Sequence, residues 1–252
     1  MKLKELASYL SNLYPKDLKA SYDNVGLMVG SYEKDVKIVL LALDLTKEVM
    51  DEAKLENVDL IITHHPLLFH PLSCINLNED LGSIINDLIK NDIANYSLHT
   101  NFDSVKMNDY LGDLIGLKNK EILSLNDNIG VYGEIDKSSL DDFIQKVKSV
   151  LNIESCDYYG TTNIEIKRVG IIGGSGSDYF SDAKDKELDL FITGDITYTK
   201  GIEAKRLGLN VLDVGHHIEI RFADCITKDL KNLDDKLIVI TSKTNVIPYR
   251  RM

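Results

Sequence analysis

Short β-prone apolar runs recur along this chain, each closing on histidine, glycine or other polar residues. They occupy 36–43, 58–62, 93–98, 129–135, 164–172, 188–193, 210–214 and 237–241. Between them the apolar residues fall at helical spacing, first at Leu3, Leu6, Ala7, Leu10 and Leu13. Further helices are predicted over 81–89, 107–115, 138–150 and 201–207, with a last one ending near 231. Thr46 suits the N-cap of a helix running to Leu55, and Gly116 suits a C-terminal cap. This alternation defines an α/β protein built on mostly parallel sheet covered on both faces. In such sheets ligands collect beyond the carboxyl ends of the strands.

The pattern restarts near residue 126 without a proline-rich linker, and 252 residues suffice for two domains of ordinary size. The expectation is two packed α/β domains, 1–126 and 127–252, the first completed by the C-terminal segment. A net charge of −11 argues against a nucleic-acid partner or an anionic membrane surface, both of which want a basic face. No apolar run approaches a membrane span and the N-terminal stretch is helix-patterned, so a cytoplasmic location is expected. Cys74, Cys156 and Cys225 are far apart and form no metal-type spacing.

The histidines carry the chemical signal. There are six, and four form adjacent pairs, His64–His65 and His216–His217, each just after a predicted strand and one in each half of the chain. For a single pair the ordinary reading is one satisfied core imidazole and one solvated one. Core packing gives no reason for the clustering, whereas a first-row metal site does. Pro66 forces the chain to bend after His65, which allows neighbouring imidazoles to share a site. His99 ends another predicted strand and precedes Asp103; Glu219 lies three residues after His216, where a helix begins. A carboxylate can bridge two ions, so His64, His65, Asp103, His216 and Glu219 are the candidate ligands of a dinuclear centre. His99 is the candidate general base, weighed equally against a histidine that hydrogen-bonds its loop. His217 and His70 are expected away from the ions. The turn 173–178 could cradle a phosphate, but no P-loop lysine follows, and a plain turn is favoured. Asp195 is either a group behind the ligands or a turn residue, while Asp23 and Asn24 brace the region.

Several motifs occur in order: Asp-Asn-Val-Gly-Leu at 23–27, Thr-His-His-Pro at 63–66, His-Thr-Asn-Phe-Asp at 99–103, Gly-Ser-Gly-Ser-Asp at 174–178, Ile-Thr-Gly-Asp at 192–195 and Gly-His-His at 215–217. Together they resemble the NIF3-like family, the GTP cyclohydrolase 1 type 2 homologues, over essentially the whole chain. The resemblance implies a two-domain α/β subunit in a toroidal homohexamer, with a dinuclear metal site in the cleft between domains. It also implies His64, His65, Asp103 and His216 as ligands, with a glutamate following. Two divalent ions per subunit are expected, of zinc, iron or manganese. Two departures stand out. Ile220 occupies the place where the family has its glutamate, so Glu219 comes one residue early, and Tyr198 is followed by Thr199 where the family often has histidine. Two functions are compatible: a metal-dependent hydrolase using activated water, for which the family label suggests GTP or another nucleotide, or a metal-binding or regulatory ring without turnover.

Overall fold

The computed structural model describes residues 1–248, and these form two compact units, each with its own sheet. Among the described residues the first unit is Met1–Phe102 together with 220–248; the second is Asp103–Glu219. The chain therefore crosses over after Phe102, not at the 126/127 break expected from the pattern. The reason lies in the helix Asn108–Ile115 and the strand Lys118–Ser124, which belong to the second unit. That strand pairs antiparallel with Ile129–Ser139, and the helix lies so close that a methyl on Gly112 would stand 3.0 Å from Val131 Cγ2.

In the first unit five strands run in the spatial order Gly26–Val29, Ala94–Ser97, Leu60–Thr63, Ile38–Ala42, Ile238–Thr241. All adjacent pairs are parallel except the edge pair of Gly26–Val29 with Ala94–Ser97. Val39, Leu40, Leu41, Leu60, Ile61 and Ile62 are fully buried, as a parallel sheet covered on both faces requires. Helices Lys47–Leu55 and Asp80–Lys90 supply Val49, Met50, Ala53, Ile84 and Leu88 to the core on one side. Thr46 caps the former, its side chain accepting from the Val49 N–H at 3.3 Å.

The second sheet has six strands and is mixed, with a parallel centre. Glu165–Ser175, Leu190–Gly194 and Val211–Asp213 are parallel; Lys118–Ser124, Ile129–Ser139 and Asp157–Tyr159 pair antiparallel at its flanks. The glycine-rich stretch belongs mostly to a strand: Glu165–Ser175 runs through Gly173 and Gly174 and breaks register there. Gly174 has φ +64°, a conformation that glycine adopts without penalty. No helix among the described residues is long and apolar enough to cross a membrane.

Candidate metal centre

In the first unit the strand Leu60–Thr63 delivers the histidine pair. The ladder continues past its end: the His64 N–H donates to Ala42 O (3.2 Å) and the His65 N–H to Leu43 O (3.0 Å). Both backbones are thereby fixed before Pro66 turns the chain, and the two rings lie with centroids 5.3 Å apart. The neighbouring strand Ala94–Ser97 ends two residues before His99, whose ring centroid is 5.3 Å from that of His64 and 5.5 Å from that of His65. One ligand nitrogen from each of His64, His65 and His99 lies within 4.8 Å of the others. Three imidazoles at that spacing are a suitable donor set for a first-row divalent ion.

What surrounds these rings decides which nitrogen they present. Asp44 Oδ1 is 2.8 Å from His65 Nδ1, and Asp23 Oδ1 is 2.8 Å from His99 Nδ1. A carboxylate accepting from Nδ1–H makes Nε2 the lone-pair nitrogen and holds the ring in one orientation, the usual arrangement behind a metal-ligating histidine. Burial alone would raise the Asp23 pKa, but hydrogen bonds from His99 and Thr100 outweigh it and hold the carboxyl at about 2. Asp23 is therefore a permanent acceptor. His64 is fully buried, with its ring among His65, His99, Phe102 and Phe222. Asn24 braces the following loop, donating to the Leu68 carbonyl at 2.6 Å, and His70 is exposed.

In the second unit Asp103 opens a π-helical turn, Asp103–Met107, a rare conformation that often marks functional positions. His216 and Glu219 lie on a 3₁₀ turn, His216–Arg221. With three residues per turn, positions i and i+3 eclipse one another. Glu219 thus returns to the His216 face although it comes one residue early, and its Oε2 is 2.9 Å from His216 Nε2. A carboxylate oxygen of Asp103 lies within 4.8 Å of one of Glu219. Asp195 Oδ2 is 2.6 Å from His216 Nδ1, so the turn residue also orients an imidazole. Glu219 is buried against the glycine strand, where a methyl on Gly174 would fall 2.3 Å from its Oε1.

The structure therefore brings His64, His65 and His99 together in one unit, and Asp103, His216 and Glu219 in the other. His99, expected to act as a base or to bond its loop, is tied by its ring to the Asp23 carboxylate. Asp44 is not singled out by the sequence; its one signal is that it stands just beyond the strand next to the one bearing His65. If Asp44 orients His65, Asp44→Asn is expected to weaken divalent-metal affinity by about 10–100-fold with little change in melting temperature. Calorimetric titration of the metal-stripped variant checks this, and wild-type affinity would refute the role.

Two α/β units, one presenting two imidazoles braced by aspartates and the other presenting one, define a class of candidate metal-binding proteins. The family model of Duf34/NIF3 (NGG1p interacting factor 3) matches residues 1–248, and the chain belongs to that family. It is 44% identical, over 86% of both chains, to a Clostridium perfringens protein named GTP cyclohydrolase 1 type 2 homolog. A Clostridium acetobutylicum protein of the same name is 35% identical over 99% of this chain and 98% of its own. Among solved structures, a Bacillus cereus protein related to NIF3 superposes with a TM-score of 0.93 at 25% identity, covering 100% of this chain and 99% of the other.

Proposed function

We propose that the protein is a metal-dependent hydrolase whose two donor sets close around a shared pair of divalent ions, held by His64, His65, Asp103, His216 and Glu219. The observation that carries this reading is the repeated pairing of an imidazole Nδ1 with an aspartate: His65 with Asp44, His99 with Asp23 and His216 with Asp195. Such bracing fixes a tautomer and a direction, which a merely structural histidine does not need. Two ions held there would bring the pKa of a bound water towards neutrality and polarise the group it attacks.

The side chains have distinct tasks in this scheme. Asp44 and Asp195 keep their imidazoles pointed. His99 takes the proton of the attacking water at Nε2, and the ionised Asp23 stabilises the charge that the ring then carries. The name shared by the relatives suggests GTP as a substrate, and a small-molecule nucleotide is the class we test first. The alternative of a ring without turnover draws on the early position of Glu219, a shift that the 3₁₀ turn accommodates. The same reading includes the ring of six subunits, for which light scattering should give six times the chain mass.

Protein purified without added metal is analysed for elemental content, stripped with chelator, reloaded and assayed against GTP and a chromogenic phosphodiester. Hydrolysis of either substrate that disappears on stripping and returns with metal is the expected result. Retention of full activity in the stripped protein, or no hydrolysis by protein carrying two ions, would overturn it.

A further inference from the structure

Asn108 is almost fully buried in the second unit, 3% exposed, at the junction where the π turn Asp103–Met107 becomes the α-helix Asn108–Ile115. Its two amide arms go to different elements. Nδ2 donates to the main-chain carbonyl of Asp103 at 3.1 Å, and Oδ1 accepts from the Gly173 N–H at 2.9 Å. Gly173 and Gly174 in turn form the wall against which Glu219 lies: a methyl on Gly173 would be 3.5 Å from Glu219 Cγ, and one on Gly174 would collide with the carboxylate.

We infer that Asn108 is a positioning residue whose amide ties the Asp103 main chain to the glycine wall behind Glu219 and so sets the separation of the two carboxylates. An amide suits this task because it donates to a carbonyl and accepts from an N–H at once. A carboxylate can do only the second, and an alkyl group neither. The inference rests on the proposed reading of Asp103 and Glu219 as metal ligands, and assigns the spacing of those ligands to a residue that touches no ion.

Co(II) is the probe, added to the metal-stripped full chain and followed by its visible absorption, with circular dichroism and thermal melting as measures of fold. Asn108→Leu keeps the volume and loses both bonds; Asn108→Asp keeps the acceptor and loses the donor. Folded variants are expected to bind Co(II) about 10–100-fold more weakly, with an altered visible band, because groups that hold ligands contribute on that scale. A folded Asn108→Leu with the wild-type affinity and spectrum would overturn the positioning role alone. A wild-type protein that takes up no Co(II) would overturn the metal reading itself. If neither variant folds, Asn108 belongs to stability and the inference fails.

Discussion

Glu219→Gln is expected to leave the protein folded while its metal content falls by about one equivalent and any metal-dependent hydrolysis drops by more than about 100-fold, since groups behind a ligand are already worth about 10–100-fold. The change keeps the size of a side chain that is 4% exposed and removes only its charge. That charge stands 2.9 Å from His216 Nε2, on the face that the 3₁₀ turn gives to positions 216 and 219. The same turn makes a sharper statement. Position 220 is rotated by about 120 degrees from position 219 in a 3₁₀ geometry. Adding Ile220→Glu to the Glu219→Gln variant should therefore fail to restore metal, although it recreates the spacing usual in the family. Elemental analysis of the single and double variants decides the matter; recovery of metal in the double variant would contradict a 3₁₀ turn as the cause.

Phe222→Ala is the substitution with the largest expected cost to stability. The ring is fully buried at the first position of the helix Phe222–Leu233, with its centroid 5.6 Å from that of His64 and 6.3 Å from that of Phe102. Truncating a buried phenylalanine typically costs about 3–5 kcal/mol through lost transfer energy and the cavity left behind. In a chain of this size that corresponds to a fall in melting temperature on the order of 10 °C. Phe222→Leu, which keeps more of the volume, should lose much less. The cavity would also open beside His64, so the Ala variant should bind metal more weakly than the Leu variant. Urea and thermal unfolding check the first effect and titration the second. A loss below about 1 kcal/mol for Ala would contradict the packing described.

Much of this arrangement is legible in the sequence because local chemistry and tertiary context agree there. The apolar runs 36–43, 58–62 and 93–98 contain buried strands, Thr46 caps its helix, and Gly116 closes another with φ +88°. The histidines stand out for a similar reason: ligands gather at strand ends, and strand ends are readable. Other elements carry no such signal. Lys118–Ser124 begins with Lys, Asn, Lys and Glu, and its pairing with Ile129–Ser139, not its own polarity pattern, makes it a strand. The π turn at Asp103–Met107 and the 3₁₀ turn at His216–Arg221 depend on how the chain leaves one element for the next. An α-helical reading therefore leaves Glu219 about 100 degrees from position 220, where the family has its glutamate. Asp44 is invisible in the sequence because what matters is the strand beside it in space. The clustering of the histidines in both halves of the chain already carries the expectation that distant donors act together, and the family resemblance adds to it.

That expectation is tested most directly by growing crystals of the metal-loaded protein and measuring diffraction on both sides of the metal's absorption edge. Two anomalous peaks, roughly 3.5–4 Å apart as in other two-metal hydrolytic sites, are expected, with His64 and His65 from one unit and Asp103, His216 and Glu219 from the other around them. A single peak confined to His64, His65 and His99, with Asp103, His216 and Glu219 turned elsewhere, would contradict a shared centre.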